Sequence, residues 1–227
     1  MSAATLVFDL DDTLYSERQF AISGFDACER WLLEHHGKGD VATEMTRMLD
    51  EGHMRALFVQ VLEKRLSKVT PELVEQFIDV YRYHEPEISL YPDAVRALDH
   101  FGSKGPIGLI TDGQHEVQSS KVRALGIAGR FHHIVYTGAL GGRAFSKPHP
   151  LGYEKIEEAL GKREGPFVYV GDNPAKDFLT PNRRGWISVQ IIRPHRIHAR
   201  AVAVEGGDAH HVIETLDELP GILASAS

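Results

Sequence analysis

Leu6-Val7-Phe8 is a short apolar run that stops in the polar cluster Asp9-Leu10-Asp11-Asp12-Thr13, the pattern of a buried strand that ends at a sheet edge. The period then changes. Between Glu17 and about His84 the apolar residues recur every three or four positions. One series is Phe20, Phe25, Cys28, Trp31 and Leu32; a second is Met54, Leu57, Phe58, Val61, Leu62 and Leu66; a third is Leu73, Phe77, Val80 and Tyr81. Each predicts an amphipathic helix. Thr70-Pro71-Glu72 supplies an N-cap and a first-turn proline for the last of them. After Pro86 the pattern alternates. Helices are predicted over 92–101, 114–125, 150–160 and 215–223, and strands over 107–110, 134–136, 167–170, 186–192 and 212–213. Thr180 and Pro181 read as the N-cap and first residue of a further helix.

Strands that alternate with helices predict an α/β fold: a Rossmann-like parallel sheet covered by helices on both faces. The all-helical block interrupts that pattern after the first strand. The expected organisation is therefore an α/β core over 1–14 and 88–227, with a helical insertion over 15–87. No internal repeat or low-complexity segment occurs.

Composition narrows the function classes. The 227 residues are 42% hydrophobic and 25% charged, enough for a real core. Asp and Glu number 32 against 25 Lys and Arg, a net charge of −7, and a nucleic-acid binder normally carries a basic excess. The one cysteine, Cys28, rules out an internal disulfide and fits a reducing compartment. No apolar run approaches the ~18 residues of a membrane span, and the first residues, Met1-Ser-Ala-Ala-Thr-Leu-Val-Phe-Asp9, carry no basic leader. The expectation is a soluble cytoplasmic chain with neither nucleic acid nor membrane as partner. Nothing in the pattern specifies an oligomeric state.

The chemistry gathers in four polar clusters. Three close predicted strands: Asp9, Asp11 and Thr13; Thr111, Asp112 and Gly113; and Gly171, Asp172 and Asn173 with Asp177. The fourth, Ser146-Lys147-Pro148, follows a loop. Ligand crevices of open parallel sheets lie outside the C-terminal strand ends, so these distant segments converge at one edge. Carboxylates packed together repel and take up protons unless a cation joins them. Magnesium suits a site of a few carboxylates plus a substrate phosphate. A carboxylate can also act as the nucleophile of phosphoryl transfer, with lysine and threonine donating to phosphoryl oxygens. Each cluster alone is a weak signal, since acidic residues are common in turns. Together they point to metal-assisted phosphoryl transfer.

These clusters resemble the four motifs of the haloacid dehalogenase superfamily, in the family's order. Leu-Val-Phe-Asp9-Leu-Asp11-Asp-Thr13 resembles motif I, Thr111 motif II, Lys147-Pro148 motif III, and Gly171-Asp172-Asn-Pro-Ala-Lys-Asp177 the Gly-Asp-(x)4-Asp form of motif IV. The resemblance covers essentially the whole chain, because the helical insertion stands where the family places a helical cap of the first type. It implies a Mg²⁺-dependent phosphatase that cleaves a small phosphorylated metabolite through an aspartyl-phosphate. Asp9 would be the nucleophile. Asp11 would be the acid for the leaving oxygen and then the base for water, with a pKa above the usual ~3.9. Thr111, with backbone N–H groups of Asp112 and Gly113, would hold phosphoryl oxygens. Lys147 would orient and offset the charge of Asp9. Asp9, the Asp11 backbone carbonyl and Asp172 would bind the metal, with Asn173 and Asp177 behind them through water. One departure stands after motif IV, where Thr180-Pro181-Asn182 replaces the family's usual Gly-Ala pair.

Other functions remain open. A sugar phosphomutase of the same fold keeps both aspartates, and a non-catalytic phosphometabolite-binding module is a further alternative. Dehalogenase relatives lack the second aspartate, so Asp11 argues against that chemistry. Asp177 alone could be an acidic residue at a helix start. The basic stretch 193–200 reads as a solvated surface loop. The pairs His35-His36, His132-His133 and His210-His211 lack metal-ligand spacing and read as surface residues, and Trp31, Phe58 and Phe77 read as core packing of the helical block.

Overall fold

A computed structural model of the chain describes residues 4–53, 56–161 and 165–225. Met1–Ala3 and Met54, the latter counted in the second helical series, lie outside them. The chain divides into two compact units, Met1–Glu17 with Ser89–Ser227, and Arg18–Ile88.

The first unit is built on six parallel strands: β1 (Thr5–Phe8), β2 (Gly108–Thr111), β3 (His133–Tyr136), β4 (Phe167–Gly171), β5 (Ile187–Ile191) and β6 (His211–Ile213), in the order β3-β2-β1-β4-β5-β6. In register, Phe8 lies beside Leu109 on one side and Val170 on the other. Every residue of β1 and β2 is buried. Successive side chains point to opposite faces, so both faces of the central strands are covered. This is the α/β arrangement that the alternating pattern predicts.

The second unit is helical, formed by α1 (Glu17–His36), whose first residue belongs to the other unit, with α2 (Ala42–Asp50), α3 (Leu57–Arg65) and α4 (Pro71–Tyr83). Phe77 is fully buried and packs edge-on against Phe58 and at a tilt against Trp31. Phe77 is thus a core residue of the unit, and Trp31 and Phe58 pack on it while remaining half-buried. Cys28 is buried beside the Phe77 carbonyl, and burial pushes its thiol up to about 12, so it is inert. Helix α2 is absent from the three predicted series, although Met45, Met48 and Leu49 face inward at helical spacing.

The remaining helices belong to the first unit: α5 (Pro92–Gly102), α6 (His115–Ala124), α7 (Leu151–Leu160), α8 (Leu179–Arg183) and α9 (Leu219–Ser225). Helix α8 starts earlier than Thr180-Pro181 predicts. Its N-cap is Phe178, and the Thr180 hydroxyl donates to the Pro148 carbonyl instead of capping. Pro181 is tolerated in the first turn because the N–H it lacks would have no intrahelical partner there. No described helix is long and apolar enough to cross a membrane.

Most of the stretch 193–200 is exposed, as its charge suggests, but its first residue is not. Arg193 is buried, and its Nε and Nη2 donate to the Thr13 carbonyl at 3.2 and 2.8 Å. Its Nη1 donates to Asp93 Oδ2 at 2.7 Å, and the guanidinium lies 4.1 Å from the centre of the Tyr91 ring. Asp93 Oδ2 also accepts from the Thr215 hydroxyl and the Leu216 N–H. The chain leaving β5 therefore fastens the loop after β1 to the start of α5. Burial raises the Asp93 carboxyl, but Arg193 and the Leu216 and Thr215 donors outweigh it and hold it below its ordinary value. Removing one partner of such a buried pair strands the other charge. Arg193→Met should destabilise the α/β unit by about 3–5 kcal/mol, read by chemical denaturation; a loss below about 1 kcal/mol would show that the clamp carries no load.

Candidate active site

The four clusters meet at the C-terminal edge of β1, β2 and β4. Asp9 follows β1 directly, and its N–H donates to the Val170 carbonyl at 2.8 Å, which fixes the exit of the strand. Asp12 turns the chain with φ of 51°, a left-handed conformation that aspartate tolerates better than most residues. Its carboxylate accepts from the Glu17 N–H at 2.9 Å and the Ile197 N–H at 2.7 Å. Asp12 is thus a structural acid that shapes the loop carrying Asp9 and Asp11.

Asp9 and Asp177 share one cation. Lys147 Nζ lies 2.5 Å from Asp9 Oδ1 and 2.8 Å from Asp177 Oδ1, and it donates to the Tyr169 hydroxyl at 2.9 Å. Burial alone would lower the Lys147 ammonium, but Asp177 and Asp9 outweigh it and hold it well above its ordinary value. Asp177 Oδ2 accepts from the Asn173 N–H at 2.9 Å. A Cβ at Gly171 would lie 2.6 Å from that same oxygen, so the glycine that opens motif IV makes room for the aspartate that closes it. Asn173 Oδ1 accepts from the Ala175 N–H and shapes the loop.

Asp9, Asp172 and Asp177 each place a carboxylate oxygen within 4.8 Å of the others. Asp9 Oδ2 and Asp172 Oδ2 are buried without a hydrogen-bond donor. Asp177 Oδ1 also lacks a hydrogen bond but is ion-paired with Lys147, so the oxygens without any partner belong to Asp9 and Asp172. The charges there are unbalanced. Burial, reinforced by Asp177 and Asp11 against Lys147 and Lys176, raises the Asp9 carboxyl to about 6. Burial, with Asp177, Asp9 and Asp12, raises Asp172 to about 9. Two buried, under-coordinated carboxylate oxygens that hold protons too tightly are a donor set suited to a hard divalent cation.

Thr111 ends β2, and its hydroxyl accepts from Gln118 Nε2. Gly113 has φ of 127°, a conformation that favours glycine and turns the chain into α6. Asp112 accepts from the Thr137 hydroxyl at 2.8 Å, the Lys147 N–H at 3.0 Å and Lys176 Nζ at 3.2 Å. Its side chain ties the motif II and motif III loops together, and the Lys147 backbone is one of its ligands.

Asp11 differs from expectation. Burial raises its carboxyl, but Lys121 Nζ at 2.6 Å, with the Tyr15 hydroxyl at 2.6 Å and Gln118 Nε2 at 2.8 Å, outweighs it and holds the pKa below the ordinary value. The expected rise weighed neighbouring carboxylates against Mg²⁺ and left out Lys121. Lys121, Gln118, Tyr15 and Lys176 are site residues that the motifs did not single out. Gln118 and Lys121 stand three apart on the helix after Thr111, a spacing that puts both on one face. That was the available signal. The histidine pairs stay outside: among the described residues the metal-like group contains no histidine.

The family model of haloacid dehalogenase-like hydrolases matches residues 3–181. A glyceraldehyde 3-phosphate phosphatase of Methanocaldococcus jannaschii is 26% identical over 197 residues, which cover 83% of this chain and 84% of that protein. Haloacetate dehalogenase H-2 of a Moraxella species is 29% identical over 184 residues, 74% of this chain and 77% of that one. A solved HAD-superfamily hydrolase of Geobacter sulfurreducens shares the fold with a TM-score of 0.65 at 18% identity, covering 97% of this chain and 96% of its own. With the family model spanning all four clusters and the first strand of the parallel sheet, the chain belongs to the haloacid dehalogenase-like hydrolase family.

Proposed function

We propose that this hydrolase is a Mg²⁺-dependent phosphatase of a small phosphorylated metabolite, acting in the cytoplasm through an aspartyl-phosphate on Asp9. The observation that carries the reading is the pair of carboxylates on one loop with opposite environments. Asp9 is buried with Oδ2 undonated, and Asp11 is held by three donors. Phosphoryl transfer to a carboxylate needs both a nucleophile and a separate proton carrier, whereas attack on a carbon–halogen bond needs no acid for the leaving halide. The relatives include enzymes named for each chemistry, and Asp11 favours the first.

In this reading Asp9 attacks phosphorus through one carboxylate oxygen while Lys147, bonded to Oδ1, offsets the charge. Thr111 and the backbone N–H groups of Asp112 and Gly113 bind phosphoryl oxygens. Asp11 gives a proton to the leaving oxygen, then takes one from the water that hydrolyses the intermediate. Asp9 and Asp172, with the Asp11 backbone carbonyl, would hold Mg²⁺, whose charge would balance the phosphoryl group against the surrounding carboxylates. Asp177 and Asn173 act behind them, Asp177 through Lys147 and Asn173 through the loop. The helical unit is the cap domain that selects the substrate. A phosphomutase would need a bisphosphate activator, so turnover without one separates the two enzymes.

The deciding experiment is a panel of phosphorylated metabolites, with released phosphate read with and without Mg²⁺. Asp9→Asn should reduce turnover to below a few per cent while the fold is kept, because an amide is a poor nucleophile and a weaker ligand. Retained activity would remove Asp9 as the nucleophile. Lys147→Ala should lower kcat by roughly 10²–10³-fold, the scale for losing one preorganised donor; a change confined to KM would make Lys147 a binding group only.

The raised carboxyls give a signed pH dependence. The folded chain holds the Asp9 and Asp172 protons more tightly than the unfolded chain does, so this contribution to stability falls as pH rises from about 4 through 6 and on to 9. With Mg²⁺ held there by Asp9 and Asp172, the penalty would be relieved. Its stabilisation, about 2.7 kcal/mol at a hundredfold excess over Kd, should therefore grow with pH. Melting temperatures with Mg²⁺ and with EDTA should differ more at about pH 8.5 than at about pH 5.5. An equal shift at both would place the metal elsewhere.

A further inference from the structure

Helix α6 reaches the site through two side chains that no motif contains. Gln118 and Lys121 are both almost fully buried, at 2% and 3% exposure. Their partners assign the hydrogens. An ionised carboxylate only accepts, so the amide nitrogen of Gln118 must face Asp11 Oδ2. The same nitrogen meets the Thr111 hydroxyl, so its second N–H donates there. The Thr111 hydroxyl therefore accepts from Gln118 and keeps its own proton for another acceptor. On Asp11, Oδ1 takes two donors, Lys121 and Tyr15, and Oδ2 takes one, Gln118. A carboxylate oxygen has two lone-pair sites. The open site of Asp11 is thus on Oδ2, the oxygen that the same amide ties to Thr111.

We propose that Gln118 and Lys121 are positioning residues for proton transfer, the pair that fixes which oxygen of Asp11 carries the proton and which way the Thr111 hydroxyl points. The inference rests on the phosphatase reading and extends it to residues outside the four motifs. In the first step a proton taken up from solvent at the open site of Asp11 Oδ2 moves to the leaving oxygen as the Asp9–phosphorus bond forms and the ester P–O bond breaks. In the second, water attacks phosphorus, its proton passes to Asp11 Oδ2, and the Asp9–phosphorus bond breaks to release inorganic phosphate. Lys121 and Tyr15 hold Oδ1 throughout, so the carboxyl does not rotate between steps. Gln118 keeps one lone pair of Oδ2 occupied and leaves the other for the proton. The Thr111 hydroxyl, polarised the same way in both steps, donates to a phosphoryl oxygen.

The test compares two aryl esters of similar shape, 4-nitrophenyl phosphate and phenyl phosphate, in the full-length enzyme with Mg²⁺. The first leaving group needs little acid; the second needs it. Gln118→Leu and Lys121→Met should slow phenyl phosphate turnover by roughly 10²-fold, within the range for general acid–base catalysis. With the nitrophenyl ester the pre-steady-state burst should stay within about tenfold of wild type while steady turnover falls, so phosphorylated Asp9 accumulates and is seen as an added phosphoryl mass labile to hydroxylamine. Asp11→Asn sets the same signature as a benchmark, and Lys121→Arg, which keeps the charge, should recover most of the loss. Tyr15→Phe removes one donor to Oδ1 and reads the same split should a buried α6 variant fail to fold. Equal losses on both esters with no trapped phosphoenzyme would overturn the positioning role and leave α6 a scaffold; unchanged rates on both would do the same. If wild-type enzyme forms no phosphoenzyme and Asp9→Asn has no effect, the phosphatase reading itself falls, and the positioning role with it.

Discussion

The ammonium of Lys147 is the charge around which the site is assembled. It is buried between two carboxylates, Asp9 and Asp177, and a tyrosine hydroxyl. Burying any of these ions alone would cost several kcal/mol, and only their mutual contact makes the arrangement tolerable. Much of the local chain follows from that contact. The loop after β3 must deliver Lys147, and the Asp112 carboxylate holds its backbone N–H in place. The loop after β4 must bring Asp177 back against the end of its own strand, which leaves no room for a side chain at Gly171. Asp9 is held at Oδ1, so Oδ2 is the oxygen available for chemistry.

One cation does not balance the cluster. Asp172 adds a further buried carboxylate, and Asp9 and Asp172, which remain under-coordinated, are both pushed upward. Asp11, two residues from Asp9, goes the other way because Lys121, Tyr15 and Gln118 surround it. Two aspartates of one loop are thereby given opposite electrostatic environments by what packs on them. The loop that carries both is itself held from behind. Asp12 joins it to the start of α1 and to Ile197, and Arg193 grips the Thr13 carbonyl. Catalytic groups that must stay within a fraction of an ångström need such support.

Much of this protein was legible before folding. Apolar runs of three or four residues that end in Asp or Thr mark the strands, and their polar ends mark the edge where a parallel sheet binds ligands. That logic places Asp9, Thr111 and Asp172 correctly at the ends of β1, β2 and β4, because strand direction and chain order are local matters. The helical block was equally visible from its period. Less visible was α2, whose inward Met45, Met48 and Leu49 make too short a series to stand out, and the start of α8, where Thr180 bonds to Pro148 rather than to its own helix.

What the sequence by itself determined is the order of elements and the identity of the reactive groups, since both depend on side-chain type and spacing along one strand or helix. What only the tertiary structure decided is the electrostatic state of those groups. A basic run at 193–200 looks solvated in one dimension, yet Arg193 is buried because the end of β5 emerges beside the loop of β1 and offers it a carbonyl and Asp93. Asp11 looks like one more repelled carboxylate, yet it is the stabilised one because α6, more than a hundred residues later, brings Lys121 against it. The pKa of a buried acid is set by charges and donors within a few ångströms, and those neighbours come from wherever the fold brings the chain together.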